Sequence, residues 1–157
     1  MRKNVFILCC LGMVILLNHS AFSQKITIEK SYPEAFLRAY DNYVNKNYAA
    51  SFEQFSALVE QTPQDREELL QDIMFYRASS AYEMMNKDAD ALLCEFISLC
   101  PQSAHCNEAY FLLANFYARG ERYDQAIEVY SKMNVAILKQ DDKVEYYYKR
   151  GHCLFML

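Results

Sequence analysis

The chain has 157 residues, of which 53% are hydrophobic and 23% charged, with a formal net charge of −4. This apolar content excludes a disordered chain, and the length suits a single domain. An acidic chain without a basic run is a poor candidate for binding nucleic acid or anionic lipid. With only 3 Gly and 3 Pro it lacks the turn residues of a β-sandwich or barrel, so the composition favours a mostly helical domain.

Residues 1–23 have the three parts of an export signal. Two basic residues are followed by an apolar stretch over 5–17, and Ala21 and Ser23 are the small residues that a signal peptidase requires before a cut at Gln24. The apolar stretch is shorter than the roughly 20 residues that span a bilayer as a helix. These features favour a cleaved signal over an uncleaved membrane anchor. We therefore expect an exported chain.

After a short lead segment at 24–30, the chain repeats itself. An aromatic residue is followed three positions later by a small one in four places, at spacings of 39, 36 and 37 residues. The small residues are Ala39, Ala78, Ala114 and Gly151. A polar break and a second amphipathic stretch follow the first three, at 48–60, 89–99 and 123–133. Repeats of this length hold one supersecondary unit each, so we expect helix hairpins over 31–63, 64–101 and 103–138 and a partial unit over 141–157.

Apolar periodicity supports two helices per unit, most clearly in the third. Tyr110, Leu113, Ala114 and Tyr117 fall at i, i+3, i+4 and i+7, which is one stripe of a helix. The second stretch of this unit has the same spacing at positions 123, 126, 127 and 130. Ala114 and Ala126 are expected where the two helices approach closely.

The sequence also predicts three helix ends. Gly120 is expected to take a positive φ where the first helix of the third unit ends. Ser31 and Glu34 fit a capping box. Thr62 is expected to be an N-cap with Pro63 at the first helical position.

This pattern resembles the tetratricopeptide repeat (TPR), in which large, small and Tyr positions mark the first helix and Tyr, Ala and an aromatic mark the second. The third unit matches at all of these positions, whereas Ser51 stands where Ala is usual in the first unit and Leu93 replaces the aromatic in the second. The long spacing, the Gln24 start and the many tyrosines resemble exported TPR proteins of the Bacteroides group. The resemblance implies an all-α fold, a right-handed α-solenoid of three TPR-like helix hairpins plus one terminal helix.

TPR-like solenoids bind partners on a concave surface formed by their first helices. The resemblance places the lining three residues before the small residue, one after it and four after it. In chain order these three columns hold Phe36, Phe75, Phe111 and Tyr148; Tyr40, Ser79, Asn115 and His152; and Tyr43, Tyr82, Ala118 and Phe155. The first column is aromatic throughout, which favours a groove for the apolar face of a peptide or helix. The alternative is that this column is core between the repeats.

Patterns for catalysis and metal binding are missing from the sequence. No phosphate-binding loop occurs, and neither His105 nor His152 belongs to a known triad arrangement. His105 beside Cys106 supplies too few ligands for a metal site. We therefore expect no enzymatic activity, no metal and no cofactor.

Four cysteines follow the signal, at Cys94, Cys100, Cys106 and Cys153. Cys100 and Cys106 flank Pro101 and could approach each other across that turn. We favour buried apolar thiols over disulfides, because a helical domain of this size does not need covalent staples. Their oxidation state stays open at this point.

The sequence therefore predicts a non-catalytic TPR scaffold that binds a protein or peptide in the cell envelope, in the periplasm or peripheral to the outer membrane. After signal cleavage no membrane span is expected, and nucleic acid is not an expected partner. Alternatives are a periplasmic sensory or docking region of a larger membrane-linked signalling or envelope-assembly protein, and a chassis for carbohydrate uptake or hydrolysis. The apolar end of the helix predicted at 145–157 favours continuation into further repeats. The partner and the oligomeric state do not follow from the sequence.

Overall fold

The computed structural model describes residues 32–157. In this range it contains seven α-helices, one 3-10 helix and no strand, which confirms the all-α class. The helices are α1 Glu34–Val44, α2 Tyr48–Gln61, α3 Glu67–Glu83, α4 Ala89–Leu99, α5 Cys106–Arg119, α6 Tyr123–Ser131 and α7 Gln140–Met156, with the 3-10 helix at Val135–Ile137. The predicted export signal, the lead segment and Ser31 of the predicted capping box lie outside the described residues.

The chain divides into two compact units, residues 1–37 and 38–157. In the described part of the first unit the ring of Tyr32 stacks on that of Phe36, with centroids 4.4 Å apart. The second unit contains the last part of α1 and the six helices that follow. Its core draws on α3 to α7, because each of these helices contributes fully buried apolar side chains.

Helices of the second unit pack in the order of the chain. From α2 to α7 each helix contacts the next, and in addition α3 contacts α5 and α5 contacts α7. The connections between α2 and α6 are short, and short connections make consecutive helices hairpin partners. As a result α3, α5 and α7, the first helices of the second, third and fourth predicted repeats, lie side by side.

The turn after each first helix has the same backbone in the first three repeats. Lys46, Met85 and Glu121 have φ values of 61°, 56° and 57°, and each lies seven residues after the small alanine of its repeat. In all three turns the next N–H donates to the carbonyl five residues earlier, as in Arg122 N to Tyr117 O at 2.9 Å. This is the Schellman end of a helix. Three equal turns give backbone evidence for the repeat.

Two predicted helix ends are wrong. Gly120 has a φ of −85° and is the C-cap of α5, because the helix continues one residue further and Glu121 takes the left-handed position. Thr62 is the C-cap of α2 rather than an N-cap, and its hydroxyl donates to the carbonyl of Leu58 at 2.7 Å. A loop separates it from α3, whose N-cap is Arg66.

Helix lengths otherwise follow the sequence patterns closely. The predicted second helices at 48–60, 89–99 and 123–133 are observed as α2, α4 and α6, with ends that differ by no more than two residues. The last helix was expected at 145–157 but begins at Gln140. Two acidic residues in its first turn, Asp141 and Asp142, suit a helix N-terminus.

The small residues of the repeat do not share one environment. Ala39, Ala78 and Ala114 are completely buried, whereas Gly151 is exposed and a Cβ added there would have no atom within 4 Å. The cysteines differ as well, since all four are free thiols but only Cys94 is exposed. The expectation of buried thiols is therefore wrong for Cys94. Among the described helices, none is both long and apolar enough to cross a membrane.

Candidate functional site

A groove of about 730 Å³ runs along α5, and we call it the α5 groove. Glu108, Phe111, Asn115 and Arg119 line it from α5 at spacings of three or four residues, so they form one face of that helix. Its other lining residues come from the end of α3, the segment before α5, α5 itself, the segment before α7, and α7: Tyr82, Glu83, Ala104, Asn107, Leu112, Ile137, Leu138, Lys139, Asp142, Glu145 and Lys149. The groove thus joins three first helices.

The structure brings predicted site residues from different columns together here. Phe111 of the first column, Asn115 of the second and Tyr82 of the third all line the α5 groove. Asn115 itself is almost fully buried, because its Oδ1 accepts a 2.6 Å hydrogen bond from the Tyr130 hydroxyl. It supports the floor of the groove more than it offers surface.

The second and third columns pair across neighbouring repeats. Tyr43 shares a 2.8 Å hydrogen bond with Ser79, and at the next step Tyr82 and Asn115 line the α5 groove together. Each pair joins the third column of one repeat to the second column of the next. Burial raises the pKa of both tyrosines. The hydrogen bond with Ser79 opposes this rise for Tyr43, and the positive charge of Arg119 opposes it for Tyr82. Ser79, Tyr82 and Asn115 are all buried.

The first column is not one continuous surface. Phe75 is only 1% exposed, and its ring stacks on His105 at 4.2 Å. Phe36 is also buried, Phe111 is half-buried and Tyr148 is 75% exposed. A ligand can therefore touch Phe111 and Tyr148, whereas Phe75 can act only through its neighbours.

The other predicted site residues do not line the α5 groove, namely Phe36, Tyr40, Tyr43, Phe75, Ser79, Tyr148 and His152. The Tyr40 ring contacts Tyr76 edge-on at 5.0 Å, in a cluster of aromatic rings at the first repeat. His152 is exposed and contacts the Tyr123 ring at 6.3 Å. Neither His152 nor Tyr148 is among the lining residues of the groove.

Charged side chains cover the aromatic surface of the groove. The Arg119 guanidinium lies 4.7 Å from the centre of the Tyr82 ring, and Lys149 Nζ lies 5.1 Å from that of Phe111. Lys149 also forms a 2.7 Å ion pair with Glu145 on the same helix. A cation over an aromatic face contributes about 0.5–1 kcal/mol at an exposed site. These contacts hold the two cations along the groove walls.

Carboxylates gather at the other end of the groove. Burial raises the pKa of Glu108, and the negative charge of Asp142 adds to that rise, whereas nearby His105 opposes it. His105 Nε2 lies 3.1 Å from Asp72 Oδ1, and its Nδ1 lies 4.0 Å from Glu108 Oε2. The histidine thus sits between acidic groups of α3 and α5.

Sequence reasoning missed the charged lining residues Glu108, Arg119, Asp142, Glu145 and Lys149. A signal for two of them was present, since Glu108, Phe111, Asn115 and Arg119 continue one helical stripe. The residues of α7 could not be assigned this way, because their place depends on how α7 packs against α5.

Within residues 32–157 no group of three or more His, Cys, Asp or Glu side chains is arranged to hold a metal ion. Comparison with known proteins found no matching family model, no matching curated protein and no matching solved structure. The functional interpretation therefore depends on the chain's own geometry.

Proposed function

We propose that this protein is an exported, non-catalytic TPR-like scaffold that binds a peptide segment of a partner protein in the α5 groove. The observation that carries the proposal is the meeting of Phe111, Asn115 and Tyr82, one from each predicted column, in one groove. Binding sites usually have volumes of a few hundred cubic ångströms, and the α5 groove combines the aromatic rings of Tyr82 and Phe111 with charged side chains.

The repeated packing supports a solenoid of TPR-like hairpins. The side-by-side first helices and the three equal turns are what stacked helix pairs produce, and such stacks present a continuous surface for binding. The aromatic side chains offer large contact area at low entropic cost. The charged residues along the walls supply orientation for a bound chain.

A peptide display selection followed by NMR tests the binding site. Random heptapeptides displayed on phage are selected on the purified protein, and the enriched peptides are synthesised and titrated into the ¹⁵N-labelled chain. We expect the largest amide shifts on the groove-lining parts of α3, α5 and α7. Shifts confined to α2, α4 and α6 would refute the α5 groove as the site. This mapping needs no variant.

A matched pair of substitutions adds a second readout. Phe111→Ala removes the ring from the groove floor, and Leu99→Ala removes an apolar side chain of similar size that is exposed on α4 outside the groove. We expect only Phe111→Ala to weaken peptide binding, by roughly tenfold for the loss of one buried ring. Circular dichroism checks that both variants stay helical. Equal affinities for the two variants would contradict the proposal.

Export is tested separately. When the whole reading frame is expressed in a bacterium with a periplasm, we expect the protein in the periplasmic fraction, with Gln24 as its first residue by mass spectrometry. Retention of residues 1–23 in the recovered protein would contradict cleavage. The experiment does not depend on peptide binding.

A further inference from the structure

A second, smaller pocket of about 260 Å³ opens at the end of α5, and we call it the end pocket. Its lining consists of Tyr82, Met85, Phe116, Arg119, Gly120 and Arg122. Tyr82 and Arg119 also line the α5 groove, so the two cavities are neighbours that share part of their walls. A cavity of about 150 Å³ can hold a benzene ring, so the end pocket has room for one large apolar side chain.

The charged groups that line the end pocket are both guanidinium groups. Arg122 is already paired, since its two terminal nitrogens lie 3.2 and 3.3 Å from Asp90 Oδ2. The Arg119 guanidinium lies over the Tyr82 ring, and within the described part of the chain no carboxylate forms an ion pair with it. The pocket therefore presents one guanidinium that no carboxylate of the described residues approaches within ion-pair distance, although Glu83 and Glu145 line the neighbouring α5 groove.

Met85 forms the rim of the end pocket. It occupies the left-handed position of the α3–α4 turn and is 71% exposed, so its side chain does not belong to the core. A flexible thioether adapts to side chains of different shape. An exposed methionine beside Phe116 and Tyr82 thus provides a movable apolar wall.

We propose that the end pocket is a specificity subsite for a peptide in which a large apolar side chain stands next to Asp or Glu. The apolar side chain enters the pocket, and the side-chain carboxylate pairs with Arg119. Charge complementarity selects this partner, because a planar guanidinium binds a carboxylate through two parallel hydrogen bonds. The inference rests on the proposed function, since the peptide continues from here into the α5 groove.

A double-mutant cycle between protein and peptide tests the subsite. The probe is the peptide most enriched from the heptapeptide phage library, synthesised with both termini capped, alongside a copy with its acidic residue changed to the amide. We expect wild type to bind the amide copy about tenfold more weakly than the acidic peptide. The affinities of Arg119→Ala for the two peptides should differ by less than about twofold. Because the termini are capped, only the side-chain carboxylate can produce this coupling. A separate selection on Arg119→Glu should lose the acidic residue from the enriched peptides.

Two further variants make the test specific. Arg66→Ala removes another exposed arginine, in the loop before α3, and should keep the full difference between the acidic and amide peptides. Met85→Ala should reduce the preference for a large apolar residue and keep the preference for the acid. Both side chains are exposed, so neither change threatens the fold.

The possible results separate the two proposals. An equal loss on wild type and Arg119→Ala when the acid becomes an amide would overturn the subsite, as would a lower melting temperature of Arg119→Ala with unchanged peptide selection. In the second case Arg119 stabilises the C-terminal end of α5 and takes no part in peptide recognition. If the enriched peptides still change the amide chemical shifts of residues that line the α5 groove, the proposed function stands. Failure to enrich any peptide would overturn both.

Discussion

At the α5–α6 turn, Gly120 and Glu121 each have a backbone conformation that suits the other residue type better. Gly120 has a φ of −85°, which any residue can adopt, and a Cβ there would lie no closer than 3.5 Å to its neighbours. Glu121 has a φ of 57°, in the region that favours glycine. We therefore expect both Gly120→Ala and Glu121→Gly to stabilise the protein.

The expected changes in the free energy of unfolding follow from the backbone conformations of these two residues. Gly120→Ala restricts the unfolded chain without strain in the native state, which contributes about 0.4–1 kcal/mol. Glu121→Gly relieves about 1–2 kcal/mol of left-handed strain. The greater freedom of glycine in the unfolded chain offsets about 0.5–1 kcal/mol of that gain. The double variant should gain about 1–2 kcal/mol, and each kcal/mol raises the melting temperature by about 2–4 °C in a chain of this size.

Thermal and urea unfolding, followed by circular dichroism, measure these changes. Glu121→Gln is the control for charge, because a carboxylate is unfavourable near a helix C-terminus whatever its φ. Lys46→Gly and Met85→Gly test the same position in the other two repeats and should change stability in the same direction. Destabilisation by Gly120→Ala of more than about 1 kcal/mol would show that Gly120 needs a positive φ, and would refute the turn described above.

Three further predictions concern single sites. Ser51→Ala should lower the free energy of unfolding by about 1–2 kcal/mol, because it leaves the buried Ser80 hydroxyl without its 3.0 Å partner. The double variant Ser51→Ala/Ser80→Ala should recover most of that loss. Strictly additive losses in chemical unfolding would contradict this. Burial raises the pKa of Glu108 above its usual value of 4.5, so the native state holds this proton more tightly than the unfolded state and the charged carboxylate weakens the fold as pH rises above about 4.5. Glu108→Gln should therefore gain melting temperature relative to wild type between pH 4 and pH 7, and a relative loss over that range would show the opposite shift. Gly151→Ala should stabilise α7 by about 0.5–1 kcal/mol in thermal unfolding, because the added methyl group meets open space in a helix interior, and destabilisation would mean that another group closely covers this position.

Local patterns in the sequence determined the helices and their approximate ends. The alternation of apolar residues at 48–60, 89–99 and 123–133 specified α2, α4 and α6 closely, because a buried helix face must recur with the helical period. Ala114 and Ala126, which the sequence placed on the facing sides of α5 and α6, are both completely buried. The left-handed residues Lys46, Met85 and Glu121 recur at the same 39- and 36-residue spacings as the small alanines, although the sequence had pointed to Gly120 for this position in the third repeat.

Tertiary packing decided what the sequence left open. Phe36, Phe75, Phe111 and Tyr148 are equivalent in the repeat, yet their exposure ranges from 1% to 75% because each has different neighbours. In the same way Ser51, which departs from the TPR pattern, is satisfied by Ser80 of the next repeat. Sequence period fixes which face of a helix a residue occupies, but burial and charge pairing depend on contacts between segments that are far apart in the chain. The α5 groove and the placement of Arg119 over Tyr82 are products of those contacts, so only the folded structure could show them.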